Sequence, residues 1–475
     1  MNREMRLNRR RLQTQKSWAE CSGKIRSCFI LAVTCAACST PAQSLTNLAG
    51  VLNGIDFRLP AQLTATTSTN GVVVDVPQSE SFGSGVFQVT IQNDGTFSGG
   101  DSGTISIDGQ GRVTVRPSGQ PPISMRINSS QDALIGLANE INNSILQNTL
   151  NLGARAPQSV SGSDIAGNWA MVMMDTPEQL IKVTSTNGAL VDLLGENGSS
   201  ISGNGIAQIG TGSMTVNSNG TLSGTAHDAF TGSYTIGTNG QLNVTINSGD
   251  NFTMPAFLNS SKDVMFALHV DDTNNSQQII VMVKTPASTS MSDLKGLWQV
   301  TTYSAPGLII LNRNANNDIT SISVSGGFNQ SQSSSYAEGP DGFVSGSLEN
   351  VPTIGALTVG SGGSATVTFT NALGQAQSHA GYLNASKNCI VVAENDGDTI
   401  GISVVTRAPD WPGAQNVGLQ TFPGSGIVWA GDTNAVLQSS GSLGGGWNDI
   451  SATLAHHQYP VTPAGKAQFY RVKIQ

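Results

Sequence analysis

Polar and apolar residues alternate with a period of two along much of the chain. Leu242, Val244 and Ile246, for example, are separated by polar residues. Successive side chains of a β-strand point to opposite faces, so this pattern predicts strands with one face in a core and the other in solvent. Asn-Gly or Asp-Gly pairs lie between such segments, at 94–95, 219–220, 239–240 and 341–342. These pairs predict hairpins with type I′ turns, because both positions tolerate a positive φ.

The strand pattern occurs three times. Each copy opens with a glycine that is followed ten residues later by a proline, at Gly50 and Pro60, Gly167 and Pro177, and Gly296 and Pro306. Each copy also closes with an Asn-containing turn between apolar segments, at 127–132, 258–263 and 383–388. Repetition at this scale indicates tandem structural units. We therefore predict an all-β chain with three modules, at 46–157, 164–286 and 293–409, each an antiparallel meander of eight to ten strands that forms a barrel or a sandwich.

The second and third modules open with Gly-x-Trp, which contains Trp169 and Trp298; the first has Leu52 at this position. A meander that begins in this way resembles the calycin architecture of the lipocalins and avidin-like proteins, and the resemblance implies β-barrels. It covers about five residues in each module. Trp169 and Trp298 either plug the end of a packed core or contact a ligand.

The pattern changes in the last part of the chain. We predict a linker at 410–425 and a small C-terminal β-module at 426–475. Leu437-Gln438-Ser439-Ser440, Trp447 and the closing Phe469-Tyr470-Arg471 resemble a β-module found on secreted proteins of the Planctomycetes and Verrucomicrobia. This resemblance implies an extracytoplasmic setting.

The N-terminus predicts export. Eight basic residues precede residue 27, and an apolar stretch that is too short to span a bilayer follows at 28–37, as in a signal peptide covering residues 1–37. Cys35-Ala36-Ala37-Cys38 resembles a bacterial lipobox, with Cys35 where Leu or Val is usual, and this implies that Cys38 is lipidated. The alternative is ordinary cleavage after a small residue such as Ala42. The protein is then either lipid-anchored in the cell envelope (outer membrane), with no other membrane contact, or secreted.

The net charge of the chain limits the classes of partner that it is expected to bind. Only 11% of the residues are charged, and the leader contains eight of the 23 basic residues and two of the 31 acidic ones. The remainder carries 15 basic against 29 acidic side chains, a net charge of −14. An acidic mature protein argues against nucleic acid or anionic lipid as a partner.

Candidate chemistry is sparse. Gly100-Asp101-Ser102-Gly103 resembles the nucleophile segment of chymotrypsin-like proteases, but that family places its histidine base earlier in the chain, and the first histidine here is His227. Cys389 is the one cysteine after Cys38, so no internal disulfide is expected, and its apolar neighbours predict a buried, inert thiol. We predict no catalytic residues, and therefore not an enzyme.

Two acidic turns are weak candidates for Ca²⁺. Asp271 and Asp272 lie beside two asparagines in the second module, and Asp396 and Asp398 follow Glu394 in the third. Ca²⁺ prefers six to eight oxygen ligands. Solvated turns, in which Asp and Asn are common, explain the same residues. No other cofactor is expected.

Three functions are compatible with this organisation. The first is a non-enzymatic cell-envelope or surface protein with a structural, adhesive or multivalent binding role, in which repetition multiplies weak contacts. The second is a lipocalin-like protein that binds small apolar ligands inside its barrels, suggested by Gly-x-Trp and by the Met-rich segment 171–174. The third is a carbohydrate-acting hydrolase. The partner is an unidentified surface or small molecule.

Overall fold

The computed structural model describes most of the three modules and parts of the C-terminal region. The described residues are 45–60, 64–68, 71–75, 83–108, 111–142, 145–177, 181–185, 188–192, 207–226, 228–247, 251–273, 276–294, 296–306, 308–313, 319–325, 329–332, 336–338, 343–348, 351–370, 376–396, 399–409, 418–422, 426–430, 435–442, 444, 446–450, 458–459 and 469–474. The predicted signal peptide, Cys38 and Asp398 lie outside them.

The predicted all-β class is confirmed. The first module contains β1 (Gly50–Pro60), β2 (Thr64–Ser68), β3 (Gly71–Asp75), β4 (Gly85–Ile91), β5 (Thr96–Gly99), β6 (Gly103–Ile107), β7 (Arg112–Pro117), β8 (Ile123–Ile127), β9 (Ala133–Asn142) and β10 (Ile145–Arg155). The second contains β11 (Gly167–Pro177), β12 (Ile181–Ser185), β13 (Gly188–Asp192), β14 (Gln208–Val216), β15 (Thr221–Thr225), β16 (Ala229–Ile236), β17 (Gln241–Ile246), β18 (Phe252–Leu258), β19 (Val264–Asp271) and β20 (Ser276–Lys284).

The third module contains β21 (Gly296–Pro306), β22 (Leu308–Arg313), β23 (Ile319–Ser325), β24 (Asn329–Gln332), β25 (Tyr336–Glu338), β26 (Phe343–Leu348), β27 (Val351–Val359), β28 (Ser364–Thr370), β29 (Ala376–Leu383), β30 (Cys389–Asn395) and β31 (Thr399–Arg407). The C-terminal strands are β32 (Gly418–Phe422), β33 (Gly426–Ala430), β34 (Ala435–Ser440), β35 (Asn448–Asp449), β36 (Gln458–Tyr459) and β37 (Phe469–Ile474). The described helical segments are short, at Leu45–Asn47, Gly162–Ile165, Met291–Leu294 and Ser361–Gly363.

The first two modules are closed eight-stranded barrels. In the first, β1 pairs with both β4 and β10, and the strands between them follow one another in sequence order. In the second, β11 pairs with both β14 and β20. The hairpins β2–β3 and β12–β13 form separate two-stranded sheets. A meander whose first and last strands pair leaves no open sheet edge in the barrel.

The third module is a nine-stranded sheet with a related order. Its first strand, β21, pairs with β31 along its length and with two short strands, β24 and β25, on its other side. The strand pairings of the third module therefore also close on its first strand. On one side of β21, however, two short strands, β24 and β25, take the place of a single long strand.

The predicted type I′ turn occurs at one of the three pairs that the structure describes. Asn239 and Gly240 both have positive φ, at 53° and 70°. Both hairpins at 94–95 and 219–220 form as predicted. Only the glycine of each pair has positive φ, so the predicted turn type was wrong at these two positions. Here a threonine follows the pair, and the Asp94 or Asn219 side chain accepts a hydrogen bond from its backbone N–H, at 2.9 and 3.2 Å. That local bond favours a three-residue loop that ends in a left-handed glycine. Asp341-Gly342 lies outside the described residues.

Each module has its own apolar interior. The first contains Val89, Ile105 and Val113, the second contains Leu242 and Val244, and the third contains Val300 and Val367. These are the inward positions of alternating strands. They form the dry interiors that a period of two dictates.

A fourth apolar core lies outside the barrels, between the three modules. It is built from the outward faces of the first strand and last two strands of each module, including Phe57 and Leu152, Val172 and Phe266, and Tyr303 and Val391. These strands are apolar on both faces because both faces are buried. The Tyr303 hydroxyl donates to the Asn148 carbonyl at 2.8 Å, and its ring meets that of Phe57 edge-on at 6.0 Å.

The turns that close the modules meet one another beside this core. We call residues 128–132, 259–263 and 384–388 the turn ring. Within each turn, the first asparagine side-chain oxygen accepts backbone N–H groups from four and five residues ahead, as Asn259 does from Asp263 and Val264 at 2.9 Å each. All three of these asparagines are fully buried. These hydrogen bonds within each turn fix its conformation without help from the neighbouring turns.

Contacts in the turn ring run cyclically. The Asp132 carboxylate accepts from the Ser261 backbone N–H at 2.7 Å, and the Asp263 carboxylate accepts from that of Ser386, also at 2.7 Å. The third step returns to the first module, where the Asn388 amide donates to the Ser130 hydroxyl at 2.6 Å. Module one contacts two, two contacts three, and three contacts one, so the modules are related by an approximate threefold arrangement.

The proline that ends each module repeats the same cycle. A Cβ placed on Gly240 would lie 2.4 Å from Pro157, on Gly363 2.5 Å from Pro286, and on Gly111 2.6 Å from Pro409. All three glycines have φ between 70° and 80°. The chain thus packs a proline of one module against a left-handed glycine of the next.

The C-terminal strands form two small sheets, with orders β32-β33-β36 and β35-β34-β37. Because β32 pairs with β33, strand structure begins inside the segment 410–425, which we predicted as a linker. Its Gly- and Pro-rich flanks obscured the short alternating segment.

Candidate functional site

Each barrel is closed at the end where its chain enters. A short helical segment precedes the first strand of each module. An apolar residue of this segment, Ile165 or Leu294, or directly after it, Leu48, lies in the interior core of its module. In the second module the Asp164 carboxylate accepts from the Ser161 backbone N–H at 2.8 Å and binds Lys262 at 3.0 Å. The lysine and the capping serine lower the pKa of Asp164 to about 2. This end is a fixed plug.

Trp169 and Trp298 lie beneath these plugs. Each is almost fully buried in its interior core, and each indole N–H donates to the carbonyl of the helical residue four positions earlier, at 2.9 Å to Ile165 and 2.6 Å to Leu294. Trp169 is not among the residues that line the cavity of its barrel. The geometry favours the plug role over ligand contact, because the polar atom of each ring is already engaged within its module.

The second barrel contains a cavity of about 190 Å³ beyond its plug. Its walls are methionine, aromatic and branched aliphatic side chains, with few polar groups: Met171, Met173, Met214, Met254, Met282, Phe230, Phe252, Val244, Ile246, Ile280, Ala226, Asp228 and Gln278. Sequence reasoning singled out the segment 171–174, of which Met171 and Met173 face the cavity, whereas Val172 and Met174 face the core between the modules. The other cavity methionines come from distant strands, and only the barrel closure brings them together.

The first barrel contains a cavity of about 170 Å³ with a more polar wall. Asp56 and Arg58 lie on the inner face of β1 and interact at 3.4 Å, and the Arg58 guanidinium also donates to the Gly83 carbonyl at 2.6 Å. Asp101, Gln120 and Asn151 also belong to the polar part, while Leu52, Val89 and Met125 belong to the apolar part. Both cavities therefore combine an apolar depth with a polar opening.

The interior of the third module carries titratable groups instead. Glu394 accepts hydrogen bonds from the Ser403 and Thr302 hydroxyls and is half-buried, and desolvation raises the pKa of its carboxyl. His379 is 8% exposed, and its Nε2 lies 3.8 Å from an Asp396 carboxylate oxygen. Sequence analysis named Glu394 and Asp396 as residues of an acidic turn that is a weak candidate for Ca²⁺. The strand register, which turns both inward, was not apparent from spacing alone.

The Ca²⁺ candidates are placed separately in the two modules. Asp271 ends β19, where its carboxylate accepts from the Thr273 backbone N–H at 2.9 Å, and Asp272 is exposed beside it. Asp396 faces His379, and Asp398 lies outside the described residues. Among the residues that the structure describes, no group of three or more His, Cys, Asp or Glu side chains is arranged to hold a metal ion.

The structure also places Ser102 and Cys389, the two possible nucleophiles that the sequence analysis considered. Ser102 is exposed, and its hydroxyl donates to Ser118 at 3.2 Å. Cys389 is fully buried in the core between the modules, and this desolvation raises the pKa of its thiol, as expected for an inert cysteine. None of the helices in the described residues is long and apolar enough to cross a membrane.

Comparison with known proteins gives distant structural likenesses only. No family model and no curated protein sequence matches the chain. A double mutant of transferrin binding protein B from Haemophilus parasuis Hp5 is 10% identical, with 76% of each chain covered and a TM-score of 0.23. The isotype 1 transferrin binding protein B from serogroup B Neisseria meningitidis is 8% identical, with 68% of this chain and 66% of that one covered and a TM-score of 0.21. Scores this low assign neither fold nor function to the chain.

Proposed function

We propose that this protein is a non-enzymatic, extracytoplasmic binding protein that holds small apolar ligands inside its barrels. The observation that carries the proposal is the pair of cavities, each inside a closed barrel. Concave, mostly apolar sites with a few polar groups are the usual form of small-molecule sites. The fixed plug means that a ligand enters and leaves through the opposite, polar end.

Each of the two barrels has a pair of polar side chains that interact with each other. Gln278 donates to Asp175 at the opening of the second barrel, and Asp56 binds Arg58 in the first. Such pairs position a wall and recognise a polar end of a ligand. This favours binding over reaction.

The predicted signal peptide supports an extracytoplasmic location, and we propose that Cys38 carries the lipid that anchors the protein. Intact-mass analysis of the mature N-terminus tests this part alone. Acylated Cys38 supports the anchor, and an unmodified start near Gln43 refutes it without affecting the barrels.

A rigid display scaffold is the second candidate, and the turn ring favours it. Cyclic contacts and a shared core fix the three modules relative to one another, and fixed spacing is what multivalent binding to a surface requires. In this case the cavities would be incidental to function.

Native mass spectrometry of protein purified from its own host separates the two candidates. Ligand retained in the folded protein supports the binding role, and empty protein supports the scaffold. Ala226 lines the second cavity, so Ala226→Phe should abolish retention there. The matched control is Ala229→Phe, at an exposed position on β16, which should retain the ligand.

A further inference from the structure

A row of polar side chains lies on the inner face of β10, the last strand of the first barrel. Leu150 and Leu152 of this strand face the core between the modules. The alternate positions therefore face the barrel interior. They include Gln147, Thr149 and Asn151, which are 2%, 0% and 5% exposed. The interior of the first barrel is thus polar and dry along this strand.

Each of these three side chains has a buried polar atom that forms no hydrogen bond with any residue of the chain: Gln147 Oε1, Thr149 Oγ1 and Asn151 Nδ2. Buried polar groups are nearly always hydrogen-bonded, because an unpaired one loses its hydration without compensation. Asn151 lines the cavity of about 170 Å³, and Thr149 lies opposite Arg58, which lines the same cavity. The unpaired atoms of Asn151 and Thr149 therefore mark a position for the polar group of a guest.

The position of Asn151 is occupied differently in the other two modules. Asn151 lies four residues before Arg155, whose backbone N–H donates to a carbonyl of the turn ring, and the same register gives Ile280 and Ser403. Ile280 belongs to the interior core of the second barrel, and the Ser403 hydroxyl donates to Glu394. The second module makes this position apolar and the third pairs it. The first module does neither.

The rest of the first cavity limits the guest to a small hydrocarbon body. Leu52, Val89, Ile105 and Met125 belong to its apolar wall. An apolar cavity of about 150 Å³ accommodates benzene, so a volume of about 170 Å³ accommodates one six-membered ring with a short substituent.

The unpaired atoms also indicate the polar group of the guest. The Asn151 amide N–H is a donor, and the Thr149 hydroxyl both donates and accepts. A hydroxyl group complements them, because it accepts from the amide and donates to Thr149. Neither side chain is charged, so an ionised guest would lose its hydration without gaining a counter-charge from them.

We propose that the first barrel binds a compact neutral alcohol, with its hydrocarbon body against the apolar wall and its hydroxyl group at Asn151 and Thr149. This deepens the proposed function and rests on it. The preference for a hydroxyl group is specific to the first barrel.

Three probes of similar size test the proposal on the full mature protein: benzyl alcohol, ethylbenzene, in which a methyl group replaces the hydroxyl, and benzoate. Methionine methyl groups labelled with ¹³C report where each probe binds, since Met125 lines the first cavity and Met214 lines the second. We expect benzyl alcohol to shift the Met125 resonance and to bind there more tightly than benzoate. The measured quantity is the ratio of the ethylbenzene Kd to the benzyl alcohol Kd at Met125.

Two near-isosteric variants remove the polar groups one at a time. Asn151→Leu should lower this ratio about tenfold and Thr149→Val about threefold, each by the loss of one hydrogen bond to the hydroxyl group. Comparison of a variant with the parent cancels the different hydration of the two probes. The second module has isoleucine at the position of Asn151, so Asn151→Leu should fold. The control is Asn139→Leu, at an exposed position on the neighbouring strand β9, which should leave the ratio unchanged.

The outcomes separate the alcohol assignment from the binding function. An unchanged ratio in both variants means that the unpaired groups hold ordered water only, which refutes the assignment while the binding function stands. Benzoate that binds at Met125 as tightly as benzyl alcohol also refutes it, because Arg58 would then recognise the guest. If no probe shifts Met125 at saturating concentration, the assignment fails as well. The binding function itself fails only if protein from its own host carries no ligand.

Discussion

At the scale of single residues, the three turns of the turn ring are nearly equivalent, but only two of them place a carboxylate at the equivalent buried position. The first two modules place Asp132 and Asp263 in the ring, and the third places Asn388 at the equivalent position. Desolvation raises the pKa of Asp263, and the nearby Asp132 raises it further. A third carboxylate would add like charge to a buried site, whereas an amide supplies the same acceptor and also a donor for Ser130.

Asn388→Asp should therefore destabilise the protein at neutral pH by about 1–3 kcal/mol. The loss should shrink at pH 4, where the new carboxyl is protonated. Urea unfolding at both pH values measures it, with Asn247→Asp, at an exposed position, as the control. Equal stability of Asn388→Asp and the parent at pH 7 would show that the ring does not restrict charge.

The position of Glu394 leads us to predict that the free energy of unfolding depends on pH through this residue as well. Burial raises the pKa of its carboxyl above the ordinary value, so the folded state favours the protonated form. Its contribution to stability is then fully present below the unfolded pKa and is lost as the pH rises through the folded pKa.

Glu394→Gln should remove this loss, because glutamine stays neutral. We expect the variant to match the parent in free energy of unfolding near pH 4 and to exceed it at pH 8. Asp272→Asn, on an exposed turn, serves as the comparison and should follow the parent at both values. A variant that is less stable than the parent at pH 8 would contradict the assigned protonation.

At the scale of elements, the turns between strands link neighbouring modules. The Gly240 turn illustrates this, since Pro157 of the previous module lies where a side chain would be. The Asn-Gly pair predicted the hairpin and its turn type from sequence. Its second role, as a contact with another module, depends on a proline 83 positions earlier and left no local signal.

Gly240→Ala should cost about 3 kcal/mol or more, since the left-handed conformation costs about 1–2 kcal/mol for alanine and displacement of Pro157 adds to it. Gly119→Ala supplies the matched control, because Gly119 has φ of 79° and nothing within 4 Å of the added Cβ. The difference between the two variants, measured by urea unfolding, isolates the contact between modules. Equal losses would mean that Pro157 moves aside without cost.

The strands themselves were predictable to different degrees. Alternating segments such as Gln241–Ile246 gave both the strand and its inward face. Continuous apolar segments such as Cys389–Asn395 gave a strand but not the destination of its second face. A continuous apolar segment indicates that both faces of a strand are buried, but it does not indicate which part of the molecule covers each face.

At the scale of the whole molecule, the three modules share one core. Phe57, Phe266 and Tyr303 belong to the same cluster although they come from different modules. The sequence predicted three units, each with its own interior, and those interiors are present. The shared core was not predicted, because its contacts join residues of different modules that are far apart in sequence, such as Phe57 and Tyr303.

The cavities, like the cores, were predictable from the sequence only in part. The plugs of the three modules, Leu48, Ile165 and Leu294, come from short segments before each first strand, and the Gly-x-Trp motif marked two of them. The cavity methionines became recognisable only when the register was known. A single module separated from the others would expose the outward faces of its first and last two strands, so the modules are expected to depend on one another for stability.

One measurement tests this dependence most directly: urea unfolding of the full protein followed by ¹³C-methyl resonances of methionines in each module. Met125, Met265 and Met291 report on the first, second and third modules. We predict that all three native signals disappear at the same urea concentration, because the turn ring and the shared core unfold together. Three separate midpoints would contradict the account and describe three independent barrels on one chain.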